Sequence, residues 1–191
     1  MEMFQNVDTQ FVPNDIMDIS SPIIGYVGAL QSIRLDIELI VHIAKNMPDC
    51  NVVLVGPEDE DFLSSQLHHI PNVYFIGSRK PEELPAYIST FDVCINPQKV
   101  NEITIGNYPR KIDEYLAVGK PVVATKTDSM GVFSEHVFLA ETPEEYVEMI
   151  RRAIRNDNLS TSTQRSQFAA THTWEASVYE IYSAILENSY S

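Results

Sequence analysis

Short apolar runs rich in isoleucine and valine alternate along the chain with longer segments in which apolar residues recur every three or four positions. The first pattern predicts buried β-strands, and the second predicts amphipathic α-helices. Strands are expected in "PIIGYVGAL", "CNVVLVGP", "NVYFIG", "DVCINP", "PVVAT" and "VFLAE". Because these strands are apolar on both faces and alternate with helices, they favour right-handed βαβ crossovers and a parallel sheet covered on both sides. The expected fold class is doubly wound α/β.

Helices are expected in "IRLDIELIVHIAKNMP", "EDFLSSQLHHI", "PEELPAYISTF", "YPRKIDEYLAV" and "TPEEYVEMIRRAIRN". Two of them carry clear end signals. Gly119 has the position of a C′ residue, with Pro121 just beyond it. Thr142 is placed to cap the last of these helices, with Pro143 at its first position and Glu145 where a capping box has its acid.

The pattern divides the chain into three parts. Residues 1–20 are a polar lead-in. We expect residues 21–156 to form the doubly wound domain and residues 157–191 to form C-terminal helices. The last helix should present one apolar face, formed by Trp174, Val178, Ile181, Tyr182 and Ile185. That face has to cover either this domain or a neighbouring one.

The composition is that of a globular domain with one core: 191 residues, of which 44% are hydrophobic. No run of 18 apolar residues occurs and the start has no signal-peptide pattern, so we expect a cytoplasmic protein. Cys50 and Cys94 lie in apolar runs without metal-ligand neighbours, which predicts buried free thiols. We expect no metal and no cofactor.

The net charge of −14 argues against nucleic-acid binding. The charge is unevenly distributed along the chain. The stretch from Arg79 to Lys126 has seven cationic and six acidic residues, whereas the rest of the chain has six cationic and 21 acidic residues. Within this stretch, "NYPRKIDEYLAVGKPVVAT" places Arg110, Lys111 and Glu114 in the first turns of a helix. Cations are unfavourable at a helix start unless an anion lies nearby, so the pattern predicts a phosphate site.

In doubly wound folds ligands bind beyond the carboxyl ends of the strands. The segments at these ends should therefore converge in space; they are Gly28 to Arg34, Gly56 to Asp59, Gly77 to Lys80 and Pro97 to Lys111.

The motifs "IIGYVGAL", "NVVLVGP", "NVYFIGSRKPEELPAYISTFDVCINP", "YPRKIDEYLAVGKPVVAT" and "THTWEASVYEIYSAI" resemble, in order, the C-terminal half of retaining GT-B glycosyltransferases of family 4, or glycosyltransferase group 1. The resemblance covers roughly Pro22 to Leu186. The lead-in "QNVDTQFVP" is similar to the segment that joins the two halves of these enzymes.

The resemblance implies one half of a two-domain enzyme, with a Rossmann-like domain that binds a nucleoside-diphosphate sugar of the UDP or GDP type. The whole enzyme would transfer the sugar to an unknown acceptor, as in polysaccharide biosynthesis. The N-terminal, acceptor-binding half is missing from this chain, and any peripheral membrane association would come through that half. We expect the isolated domain to be inactive.

Several residues acquire expected roles from the resemblance. Gly28 would let the donor diphosphate approach the backbone, while Ala29 stands at the family's arginine position and Arg34 at its lysine position. Glu114 would accept hydrogen bonds from the ribose hydroxyls. Lys111 and the backbone N–H groups of Tyr108 to Ile112 would face the diphosphate and neutralise charge on the leaving group.

The remaining candidates have weaker signals. Arg110 points about 100° away from Lys111 on the helix. Gly77 and Arg79 lie where the family binds the nucleobase. The family's first glutamate is replaced by Gly106, so Glu102 is the nearest acid that could reach the transferred sugar.

Two other functions stay open. A nucleotide-sugar epimerase half with the same architecture would need Glu102 and His136 for proton transfer. A non-catalytic sugar-nucleotide-binding or docking module is favoured by Ala29 and Gly106, which replace two family contact residues.

Overall fold

The computed structural model describes residues 2–5, 7, 11–104, 106 and 108–171. Its centre is a parallel sheet of six strands in the order β3-β2-β1-β4-β5-β6. The strands are β1 (Ile23–Val27), β2 (Asn51–Val55), β3 (Val73–Gly77), β4 (Val93–Asn96), β5 (Val122–Thr125) and β6 (Phe138–Ala140). All six predicted strands are present, and the order confirms the Rossmann-like doubly wound α/β fold.

Helices connect and flank the strands in the described part of the chain. They are α1 (Glu2–Gln5), α2 (Ile37–Asn46), α3 (Glu60–Leu63), α4 (Leu84–Thr90), α5 (Arg110–Ala117), α6 (Pro143–Asn156) and α7 (Leu159–Thr171). The two predicted end signals are confirmed. Gly119 follows α5 with φ of +83°, and the Thr142 hydroxyl accepts a hydrogen bond of 3.2 Å from the N–H of Glu145.

Two helical segments differ from the prediction. "EDFLSSQLHHI" is not one helix but α3 followed by a 3₁₀ turn at Gln66–His69. The Ser64 hydroxyl donates to the Glu60 carbonyl at 2.8 Å, and such local side-chain bonds compete with helix propagation. A second 3₁₀ turn at Asp128–Phe133 after β5 was not predicted, because its sequence carries no helical apolar period.

The core consists of two apolar clusters, one on each face of the sheet. Along β1, Ile24 and Tyr26 face the cluster that includes α2 and α6, while Ile23 and Val27 face the cluster that includes α4 and α5. This alternation covers both faces of the sheet, as the continuous apolar strands predicted. Cys50 and Cys94 are buried free thiols, one in each cluster.

The two ends of the described chain pack onto the α5 side. Phe4 of α1 and Ile16 of the lead-in are buried in that cluster. In α7, Arg165 is buried, donates to the Gly119 carbonyl at 2.9 Å and forms an ion pair with Asp157. The predicted apolar face around Trp174 lies outside the described residues.

Candidate functional site

β1 and β4 lie side by side, but the chain continues from β1 toward one edge of the sheet and from β4 toward the other edge. A crevice is expected between the two connections. β1 pairs with β2 on one side and β4 with β5 on the other, while Ile24 is in register with Val93. Two neighbouring strands with divergent connections form the topological switch point of a doubly wound sheet. The turn after β1 and the start of α5 both lie at this point.

The turn after β1 is built around Gly28. Its N–H donates to the Val55 carbonyl at 2.8 Å, and its φ of +142° is one that residues with a side chain rarely adopt. A Cβ on Gly28 would lie only 2.6 Å from the Lys111 Nζ, while a Cβ on Gly56 would lie 1.9 Å from the Gly28 oxygen. The two glycines therefore bring this turn close to the Lys111 ammonium.

Lys111 is the central cation of the crevice. Its Nζ donates to the Tyr26 hydroxyl at 2.5 Å and lies 4.2 Å from the centroid of the tyrosine ring. Burial lowers the pKa of this ammonium to about 8, against the opposing effect of the Glu114 carboxylate, and Arg34 lowers it further. Within the described residues, no carboxylate lies within ion-pair distance of the Nζ.

Glu114 follows Lys111 by three residues, so both side chains lie on the same side of α5. Burial raises the pKa of this carboxyl group, and the nearby cations Lys111 and Arg110 partly oppose that rise. Arg110 is exposed at the first position of α5. The structure thus brings Gly28, Lys111 and Glu114 together and leaves Arg110 at the surface.

The helix start offers fewer backbone donors than expected. The N–H of Arg110 donates to the Tyr108 carbonyl at 3.1 Å, and that of Ile112 donates to the Pro109 carbonyl at 2.8 Å. Proline has no N–H, so Tyr108 and Lys111 are the remaining candidates in this stretch. The Tyr108 ring is 48% exposed, and its hydroxyl donates to Asp113 at 2.8 Å.

Residues 98–104 form a loop that is tied to the turn after β1. The Asn101 side-chain amide donates to the Ile33 carbonyl at 2.8 Å, and the Gln98 amide donates to the Thr104 carbonyl at 2.9 Å. These bonds bring the loop beside Arg34, whose side chain is exposed, as is that of Ala29. Glu102 is exposed on the same loop, and its role at the transferred sugar stays a prediction.

Arg79 takes part in a second polar cluster after β3. Its Nε donates to the Tyr87 hydroxyl at 2.6 Å, and its guanidinium forms an ion pair with Asp15 of the lead-in. Gly77 has φ of +76° and open space at the position of a Cβ. A nucleobase contact by Arg79 stays a prediction, and it would have to coexist with the Asp15 ion pair.

Sequence reasoning missed Tyr26 and Asp15. Tyr26 lies inside the apolar run of β1, where the available signal is that a tyrosine in a fully buried strand requires a hydrogen-bond partner for its hydroxyl. Asp15 lies in a polar lead-in with no periodic signal, so only the fold could show that it meets Arg79.

The described residues contain neither a metal-binding cluster nor a membrane-spanning helix. No group of three or more His, Cys, Asp and Glu residues in that part of the chain could bind a metal ion. Among the same residues, no helix is long and apolar enough to cross a membrane.

The sequence is similar to those of known glycosyltransferases. The profile described as "Glycosyl transferases group 1" matches residues 21–156. The "Putative teichuronic acid biosynthesis glycosyltransferase TuaH" of Bacillus subtilis (strain 168) is 34% identical over 109 residues, which is 56% of this chain and 27% of that protein. The chain therefore spans about a quarter of this relative.

Solved structures share the fold. Anabaena Alr3699/HepE in complex with UDP-glucose has a TM-score of 0.67 at 23% identity, covering 95% of this chain and 55% of that chain. The C-terminal domain of the glycosyl transferase group 1 family protein LpcC from Francisella tularensis has a TM-score of 0.60 at 18% identity, covering 86% of this chain and 94% of that one. With the profile match, these structures show that the chain belongs to the group 1 glycosyltransferases and has the fold of their C-terminal domain.

Proposed function

We propose that this chain is the donor-binding half of a retaining glycosyltransferase, and that the crevice at the switch point binds the diphosphate of a nucleoside-diphosphate sugar. The observation that carries the proposal is the Lys111 ammonium, which lies over the Gly28 turn without an ion-pair partner among the described residues. A buried charge without a counter-ion is costly, so the site is suited to an anion that arrives with the ligand.

The arrangement also suits the reaction. When the glycosidic bond of the donor breaks, negative charge grows on the departing diphosphate. A preorganised ammonium in a partly desolvated crevice stabilises that charge more than it stabilises the bound donor. Lys111 is therefore the proposed catalytic cation, with Arg34 as a second cation at the rim.

Glu114 is the proposed ribose ligand. It lies one helical turn from Lys111, and a carboxylate accepts hydrogen bonds from two vicinal hydroxyls at once. Burial raises the pKa of Glu114, which means that burial disfavours its charge and that hydroxyl donors from a ligand would stabilise it. Tyr108 and Gly77 would lie toward the same nucleotide.

The sugar acceptor would bind in a cleft completed by an N-terminal domain. The coverage of the relatives supports this, because the chain matches about half of HepE and about a quarter of TuaH. HepE was solved with UDP-glucose and TuaH is assigned to teichuronic acid biosynthesis. These support a UDP-type donor and a role in polysaccharide biosynthesis, and this half alone is expected to bind donor without transferring sugar.

The test is isothermal calorimetry of the chain with UDP, GDP, dTDP and ADP, followed by the matching sugar nucleotides. We expect one nucleotide to bind, and both Lys111→Met and Glu114→Gln to weaken it at least tenfold. Lys45→Met is the matched control. Lys45 is exposed in the last turn of α2, at the opposite edge of the sheet, so its loss removes the same charge without touching the crevice. Equal affinity in all variants would refute the proposed site.

Of the alternatives, the non-catalytic binding module has a specific observation in its favour. Ala29 is exposed at the Gly28 turn and offers no charge where the family has arginine. Nucleotide binding by the full two-domain protein without any transfer or donor hydrolysis would favour it. The epimerase reading has no such observation in its favour, since the structure packs the His136 ring on Phe168 of α7 at a centroid distance of 4.1 Å.

A further inference from the structure

We propose that Tyr26 is a positioning residue for Lys111: its hydroxyl, a neutral acceptor, aims the ammonium at the Gly28 turn without cancelling the charge that a diphosphate needs. This inference rests on the proposed function for its ligand. The contact between the two side chains is independent of it.

The two residues reach each other from opposite sides of the sheet. Tyr26 is 2% exposed and belongs to the cluster on the α2 side, whereas Lys111 stands at the start of α5 on the other side. They meet across the carboxyl edge, where the Nζ donates to the phenol oxygen at 2.5 Å. The ammonium therefore extends over the sheet edge and does not turn out to solvent.

The phenol is itself fixed in place. Its hydroxyl lies 3.4 Å from the Ala29 carbonyl, to which it donates, so its lone pairs are left to face Lys111. The Lys111 Nζ also lies 4.2 Å from the ring centroid, toward the hydroxyl end of the ring, because it is hydrogen-bonded to the phenol oxygen. The Tyr26 side chain thus sets the position of the ammonium.

A neutral acceptor differs from a carboxylate at this position in one important respect. A carboxylate against Lys111 would form an ion pair, and an incoming diphosphate would have to displace it. The phenol cannot compete in this way, because burial raises its pKa far above neutrality and keeps it uncharged. The ammonium is therefore not neutralised by its partner and still has a defined geometry.

Two charged groups also face this pair and enter any titration. Glu114 on α5 favours the charged form of Lys111, and Arg34 beyond β1 disfavours it. Replacing Tyr26 by phenylalanine leaves both in place and retains the ring. It removes the hydroxyl, which is the acceptor for Lys111 and the donor of the long hydrogen bond to the Ala29 carbonyl, so the Lys111 ammonium should lose its proton at lower pH.

The experiment is a pH titration of the lysine side chains by ¹³Cε NMR, since the chain has only six lysines. The Lys111 signal is assigned by its absence in Lys111→Met. In Tyr26→Phe we expect the Lys111 pKa to fall by about one pH unit, which corresponds to a tenfold loss of proton affinity. Tyr146→Phe is the matched control, because Tyr146 is equally buried and donates to the Val123 carbonyl at 3.1 Å.

The same samples are then titrated with inorganic pyrophosphate, a diphosphate without base or sugar. We expect the Lys111 signal of the wild type to shift, and Tyr26→Phe to bind more weakly by a factor that grows between pH 6.5 and pH 8.5. An unchanged Lys111 titration in Tyr26→Phe, or a loss of affinity that is uniform with pH, would overturn the role of Tyr26. If pyrophosphate does not shift the wild-type Lys111 signal, the proposed diphosphate site is refuted. The role of Tyr26 in positioning the ammonium for a diphosphate is then refuted as well, even if Tyr26→Phe changes the Lys111 pKa of the unliganded protein.

Discussion

Replacing Lys111 by methionine should make the unliganded domain more stable while weakening nucleotide binding at least tenfold. Methionine keeps the length and apolar character of the stem and removes the charge. The structure holds this charge half-buried beside a neutral hydrogen-bond partner, the Tyr26 hydroxyl. Stability gained by removing a functional group is the expected signature of a site built for a ligand.

The magnitude follows from the lysine pKa. Burial lowers it from 10.5 to about 8, and each pH unit corresponds to 1.36 kcal/mol, so the charged form costs the folded state about 3 kcal/mol at neutral pH. Part of this is offset when the Tyr26 hydroxyl loses its donor. We therefore expect Lys111→Met to raise the free energy of unfolding by about 1 to 3 kcal/mol at pH 7, or the melting temperature by roughly 2 to 10 °C.

The pH dependence gives the sharper test. Between pH 8 and 10.5 the unfolded chain keeps a proton on Lys111 that the folded chain has released, so wild-type stability rises with pH relative to the variant. The advantage of Lys111→Met should therefore be full below pH 8 and vanish near pH 10.5, as measured by urea unfolding of both proteins at each pH. Lys45→Met should show no such trend. A variant that is less stable at pH 7, or a difference that does not change with pH, would refute the reasoning.

Three further predictions concern structure around the site. Gly25→Ala should destabilise the domain by more than about 3 kcal/mol in urea unfolding, because its Cβ would lie 1.9 Å from the Phe91 ring; unchanged stability would contradict this packing. Thr142→Ala should cost about 1 kcal/mol through the lost helix cap and leave nucleotide affinity unaltered by calorimetry. Asp15→Asn should cost under about 1 kcal/mol, since its ion pair with Arg79 is partly exposed, and a larger loss in thermal unfolding would show that the lead-in does more than cover the surface.

The sheet was predictable from sequence because its signal is local. Each strand is a short Ile/Val-rich run bounded by glycine, proline or polar residues. Because these runs are apolar on both faces, they also indicate a parallel sheet that crossover helices cover on both sides. Helix ends were predictable where a single side chain decides them, as at Thr142 and Gly119. The segment 60–70 shows the limit, because it has a helical apolar pattern and yet its helix ends at Leu63, where the Ser64 hydroxyl donates to the Glu60 carbonyl.

The site was predictable in part. Gly28 and Lys111 could be placed together because the carboxyl ends of parallel strands meet at one edge, whereas Glu114 was named from the family resemblance. The contact between Tyr26 and Lys111 could not be predicted, because the two residues belong to opposite faces of the sheet. Strand alternation shows only which face a residue lies on. The Asp15 ion pair was equally hidden, because it depends on the path of an irregular segment.

The sheet order has a consequence for the folding of this domain. β1 and β4 are hydrogen-bonded neighbours, yet the partners Ile24 and Val93 are separated by almost seventy residues. The chain between these strands must close into a long loop before β1 and β4 can pair. We therefore expect this pairing, and the site that depends on it, to form late in folding. Recovery of nucleotide binding after dilution from denaturant should then lag behind the recovery of helical circular dichroism, so the ligand would report the late steps of folding.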